Sequence, residues 1–175
     1  MNQSIRACAI LLFTLNATSA FADVCSPTGA PYGGGAGTAA SPYLICSAAQ
    51  FLRIAPSLPA GSTNSKYRLA SNIDLSHSTV TPFDNFHSGS LDGAGFTITG
   101  LRLVIDAAAG THTMFGLFRR LNGEIFNLRI VRPSISVRGI TRDVSVGLLG
   151  GVCSGRISNV TIPSEPQLSL PGQFY

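Results

Sequence analysis

Lysine occurs once in these 175 residues, at Lys66, and charged side chains together make up only 11% of the chain. No basic run carries interleaved aromatics, which excludes the usual footprint of a nucleic-acid-binding surface. The three histidines, His77, His87 and His112, form no HxH or HxxxH phrase, so a metal site would need ligands converging from separate loops. No metal and no cofactor are expected. No GxSxG phrase surrounds a serine, and no GK[ST] follows the glycines at 33–37, which removes an esterase-type nucleophile and a phosphate loop. The acids are as sparse: Asp23, Asp74, Asp84, Asp92, Asp106, Asp143, Glu124 and Glu165, none adjacent or two apart. Asp92 in Leu91-Asp92-Gly93 and Asp74 in Asn72-Ile73-Asp74 read as turn residues whose carboxylates satisfy nearby backbone. Carboxylates on stacked levels can still meet in space, so spacing alone does not close the catalytic reading.

Ser, Thr, Gly and Asn carry the polarity instead, a composition that suits a β-rich extracellular surface. Residues 1–22 read as a secretory signal: Arg6, a short apolar core from Ala7 to Leu15, and small residues in Ala20-Phe21-Ala22. Its loss lowers the formal charge from +4 to +3, the basic excess being scattered arginines. No later run is long and apolar enough for a transmembrane helix. The expected location is the periplasm, the cell surface or the medium.

Export permits disulfides. Cys25 and Cys46 flank a Gly-rich loop and form the natural pair, closing a loop worth about 3 kcal/mol by restricting the unfolded chain. Cys153 is left over. Its ordinary reading is a buried small apolar residue, the alternative a partner in another chain or in a continuation of this one.

The chain repeats a phrase. Gly123, Ile125, Asn127 and Ile130 in GLFRRLNGEIFNLRI recur as Gly155, Ile157, Asn159 and Ile162 in GLLGGVCSGRISNVTI, each 32 residues on. Gly116 and Gly147 open the two copies, and LDGAGFTITGLRL carries related apolar spacing after Asp92 and Gly93. Such a period with β-type alternation marks a stacked solenoid. Equivalent asparagines in stacked turns form hydrogen-bonded ladders and tolerate left-handed backbone, which gives Asn127 and Asn159 a structural role.

Strands are expected at 42–46, 66–70, 96–105, 113–118, 124–131, 134–137, 144–149 and 156–162, with a longer loop at 76–90. Ser47 caps one helix, at 47–54, placed to cover the first level. The expected interior is Ile98, Leu101, Leu103, Phe115, Leu117, Ile125, Leu128, Ile130, Val146, Leu148, Ile157, Val160 and Ile162. Residues 163–175 form a proline-rich tail that makes a poor central strand.

These phrases resemble the GLUG-motif family of bacterial surface proteins over residues 33–162: a Gly-rich turn, the PYLI strand, an alanine-rich helix, YRLASNIDLS, and the two motif copies. The resemblance implies an all-β fold, a short right-handed single-stranded parallel β-helix over 23–162 with a small N-terminal capping helix. It implies an adhesin-like, non-enzymatic surface module that binds glycan or a host or cell-surface protein through its long face, where Arg119 and Arg120 stand. Two other readings stay open. One is a β-helical polysaccharide lyase or hydrolase, which needs two converging carboxylates within about 10 Å. The other is the N-terminal capping part of a longer passenger, without activity of its own. The phrase stops after Ile162 with no obvious cap, so a stacking partner, downstream coils or the tail would have to cover that end.

Overall fold

The computed structural model describes residue 25 and residues 31–54, 64–86, 88–108, 113–141 and 143–169. The expected signal segment, Asp23, His87, His112, Arg142, most of the loop after the helix, the end of the tail and the side chain of Asp84 lie outside these residues. The fold is nearly all β. Among the described residues one helix, α1 (Ala48–Leu52), stands beside fifteen short strands, and every strand pairing is parallel. No helix among these residues is long and apolar enough to cross a membrane.

Parallel strands cannot be joined by tight hairpins, so each partner arrives from a distant part of the chain. The largest sheet shows how. β1 (Tyr43–Ile45) pairs β2 (Lys66–Leu69), β2 pairs β5 (Ser90–Asp92), β5 pairs β10 (Glu124–Val131), and β10 pairs β14 (Arg156–Thr161). Tyr43, Tyr67, Leu91, Ile125 and Ile157 therefore stand in one column. A second column runs from Ile73 of β3 (Ile73–Asp74) to Ile98 of β6 (Thr97–Thr99) to Ile130 of β10. Three smaller sheets repeat the pattern. β7 (Arg102–Asp106), β11 (Ser134–Arg138) and β15 (Gln167–Ser169) form one. β4 (Phe83–Phe86), β9 (Phe118–Leu121) and β13 (Gly150–Cys153) form another, and β8 (Met114–Phe115) pairs β12 (Ser145–Val146).

Inward columns make the core. Leu91, Ile98, Leu103, Ile125 and Ile130 are fully buried, and Phe86 stacks on Phe118 at 4.6 Å between ring centroids. Phe83 meets Phe118 edge-on at 5.4 Å. Parallel-displaced and edge-on rings gain beyond their buried area.

The N-terminal end is closed. Ser47 caps α1 through its side chain, accepting from Gln50 N at 3.3 Å, and the helix buries Phe51 against Phe83. Gly33 N donates to Leu44 O and Leu44 N donates to Gly34 O, so the segment beside β1 occupies its outer edge. Cys25 and Cys46 are joined, tying this segment to the first strand.

Several expectations change. The stretch 76–90 is not all loop: it contains β4, with Phe83 and Phe86 buried, and the first residue of β5. Pro82 and Gly89, turn formers on either side of β4, are what mark the stretch as a loop in the sequence. The strand expected at 96–105 breaks into β6 and β7 at Gly100, whose φ of 67° ends the extended run. The segment at 144–149 yields only β12, while Gly150-Gly151-Val152-Cys153 is extended and paired as β13. The tail supplies an edge strand, β15. Cys153 is exposed, not buried. Ile157 and Ile162, expected inside, are 43% and 37% exposed, because among the described residues no further strand stands over them. Val146, Leu148 and Val160 are half-buried.

The repeated glycines follow from the close stacking. A Cβ on Gly123 would sit 2.4 Å from Gly89 O, and one on Gly155 would sit 2.0 Å from Gly123 O. Gly116 and Gly147 each face the Gly150 backbone as closely. Gly123→Ala is therefore expected to cost about 2–3 kcal/mol by overpacking. Gly95→Ala, at a positive φ with nothing within 4 Å of the added carbon, is expected to cost about 1 kcal/mol. Urea unfolding of the two variants measures the difference.

Candidate functional site

The polar features fall in two places, a column of amides at one corner and a groove on another side. The corner forms where the strands of the large sheet bend. Asp92 Oδ1 accepts from Ala94 N at 2.8 Å, the Asx turn its sequence context predicts. Asn127 Nδ2 donates to the same Asp92 oxygen at 3.3 Å, and Asn159 Nδ2 donates to Asn127 Oδ1 at 2.8 Å. Arg68 approaches the other Asp92 oxygen at 3.7 Å. A carboxylate accepts only, so Asp92 fixes the direction of the column: the Asn127 and Asn159 amide nitrogens each donate to the preceding level, and the Asn127 oxygen accepts from the following one. Asn127 and Asn159 have φ of 54° and 51°, left-handed values that asparagine tolerates better than most residues. Gly93 stands against this bend, with a Cβ there falling 2.3 Å from Asn127 O.

The groove, of about 300 Å³ and open to solvent, lies where three sheets meet. Thr81, Pro82 and Phe83 form one wall, Val104 and Asp106 of β7 another, and Phe115 of β8 with Arg119 of β9 the third. Arg119 is half-buried and lines it. Arg120, its neighbour in sequence, is exposed and is not part of the lining, so the structure separates the two arginines. Asp106 Oδ1 accepts from Ala108 N at 3.0 Å, which fixes the carboxylate at the groove's side. A guanidinium, a carboxylate and a hydroxyl set in apolar walls offer donors and acceptors to hydroxyl, carboxylate or carbonyl groups. Nothing in the sequence joined Asp106 or Thr81 to Arg119. The groove walls belong to different sheets, β7 pairing with β11 and β9 with β4 and β13, so no local pattern links them.

No other acid whose side chain is described lines this groove. Asp74 Oδ1 accepts from the Ser76 hydroxyl and backbone N–H, and these bonds hold its carboxyl below the usual value of 3.8. Asp74 and Asp92 lie on β3 and β5, strands that do not pair with each other, and Asp84 lies on β4 of another sheet. Among the described residues, no group of three His, Cys, Asp or Glu side chains could hold a metal ion.

A segment of the protein named halomucin, from Haloquadratum walsbyi, is 35% identical over 139 residues, covering 73% of this chain and 1% of that protein. The chain thus spans only about one-hundredth of that relative's length. No family profile and no solved structure matches the chain.

The amide column predicts a graded response. Asn127→Ala removes both its amide bonds and its tolerance for positive φ, with an expected loss of about 2 kcal/mol. Asn127→Gly keeps the backbone geometry and is expected to recover about half of that in urea unfolding. The Asp74 carboxyl titrates lower in the folded state than its ordinary value. Its contribution is full above that value and is lost as the pH falls through the lowered one. Asp74→Asn keeps an acceptor but removes the titration, so the acid side of its stability–pH curve should be flatter than that of the unaltered chain in thermal melts.

Proposed function

We propose that this chain is an exported, non-enzymatic, adhesin-like module, built as a short right-handed parallel β-helix, that binds glycan through the groove beside Arg119. The β-helix reading is supported by four parallel sheets whose strands follow one another in turn, each pairing with its counterpart one level earlier. Right-handed connection is the near-universal hand for parallel strands of one sheet. The likeness to GLUG-motif surface proteins supports the same architecture. The relative's name likens that protein to mucins, and its great length suits a module embedded among others. The groove itself is the observation that carries the binding reading: an arginine, a fixed carboxylate and a threonine in a shallow apolar setting. The net positive charge favours acidic sugars, whose carboxylates a guanidinium binds in paired fashion. A lyase or hydrolase reading has less support, because the Asp74 and Asp92 carboxylates are engaged by their own turns.

Calorimetric titration with uronate-containing and neutral oligosaccharides tests this. The acidic series is expected to bind, Arg119→Gln to weaken it about tenfold, and Arg120→Gln to leave it within about twofold. Equal weakening by both substitutions would point to diffuse charge and sink the groove assignment, and no binding by any oligosaccharide would sink the glycan reading.

A further inference from the structure

The wall that β7 gives to the groove continues beyond it. Val104 and Asp106 line the groove, and β11 runs in register over β7, with Ser136 opposite Val104 and Arg138 opposite Asp106. Ile105 and Val137 alternate with these residues and are fully buried, so Val104, Asp106, Ser136 and Arg138 all leave the sheet on its outer face. Ser136 and Arg138 therefore stand one level, about 4.8 Å, further along the stack. Opposite charges directly across a ladder attract each other, yet among the described residues Asp106 and Arg138 do not pair. Asp106 Oδ1 accepts from Ala108 N instead, and the Arg138 guanidinium has no partner among the described residues. Gly139, at a φ of 64°, passes beside that carboxylate: a Cβ there would fall 3.1 Å from Asp106 Oδ1 and 2.6 Å from Ala108 Cβ. A larger residue would crowd the turn that holds the carboxylate.

We infer that Arg138 is a second acid-binding position of the same site, and that the site takes a linear glycan with acid groups on at least two of its sugars, laid from the groove across Ser136 to Arg138. The inference rests on the groove reading given above and names its ligand more closely. Arg119 and Arg138 belong to different walls and successive levels, β9 on one and β11 on the other, and Asp106 shares the groove with the first and a ladder position with the second. The order of chemistry is thus donor, acceptor, donor. A carboxylate accepts only, so Asp106 repels an acid group and receives sugar hydroxyls, while each guanidinium takes a carboxylate. A single uronic acid carries one carboxylate and satisfies one arginine. A chain of them brings a second carboxylate to the other arginine, with hydroxyls in between. Ser136 is small enough to leave the path open, and its hydroxyl both donates and accepts. Joining the two contacts in one chain makes the second of them intramolecular, which raises affinity above that of either contact alone.

The test is calorimetric titration with galacturonic acid and with its linear tetramer at one ionic strength. The tetramer is expected to bind at least about tenfold more tightly than the monomer, beyond the roughly fourfold that a choice among four sugars supplies. Arg138→Gln is expected to lower tetramer affinity about tenfold and so erase that advantage. Arg120→Gln makes the same change of charge off the path and should lower it by less than about twofold. Ser136→Glu sets a carboxylate in the path and should weaken the tetramer more than the monomer. All three positions face outward, and thermal melts of the variants check that the fold is kept. A tetramer no tighter than the statistical factor, with Arg119→Gln still weakening both sugars, would overturn the inference and leave the groove reading standing. Equal losses from Arg138→Gln and Arg120→Gln would overturn it as well, by showing diffuse charge. Absence of binding by either sugar would remove this inference together with the groove reading.

Discussion

The structure depends on one constraint: every strand must find its hydrogen-bond partner a full level away in sequence. A hairpin sheet satisfies each strand with its chain neighbour, but a parallel strand needs a crossover of a dozen residues or more. Here the steps are longer still, as the pairing of Ile125 with Ile157 shows. The side-chain choices follow. Columns must hold residues that stack on their own kind, which accounts for isoleucine over isoleucine at Ile73, Ile98 and Ile130. Turns must pass close to the level below, which accounts for Gly89, Gly123 and Gly155 in one line. A bulky residue at one level is felt by two.

The corner solves a second problem, how to bend a strand without losing its register. At the level of β5 and β6 the task is divided: Asp92 supplies the side-chain acceptor and Ala94, with φ of 50°, supplies the bend. At the next two levels a single asparagine does both, with the left-handed φ and the amide bond in one residue. The strand then continues through the corner, so β10 runs unbroken from Glu124 to Val131 where the preceding level needs two strands. The direction of the whole amide column traces to the one carboxylate at its base.

The sequence exposed the repeat because two levels share four residues at a fixed offset, and with it the parallel register, the turn glycines and the asparagine column. It also exposed the helix, through Ser47, and the cysteine pair. What it hid had physical causes. β4 was hidden because Pro82 and Gly89 bracket it with turn formers, and β13 because Gly150 and Gly151 carry no strand preference. Arg119 and Arg120 looked like one basic spot, but neighbours in an extended strand leave in different directions, and only Arg119 reaches the groove. The groove was invisible because its walls come from three sheets, and no local pattern encodes which levels meet. Exposure of Ile157 and Ile162 was equally illegible, since their local pattern is that of buried Ile125 and Ile130. Burial here belongs to the neighbour, not to the residue.

That last point separates the two ends of the stack. Natural sheets protect edges with charge, proline or a covering element. The N-terminal end uses the third device in full, with a helix, a backbone segment and a disulfide. The other end uses little of any. Pro163 and Pro166 precede β15 but leave Leu168 outward, and none of the three end-column positions carries a charged side chain. Among the described residues, β14 and β15 keep the register of the levels beneath them, and Ile157, Ile162 and Leu168 carry the interior pattern without interior burial. The two ends therefore differ in covering and not in the choice of residues that face along the stack.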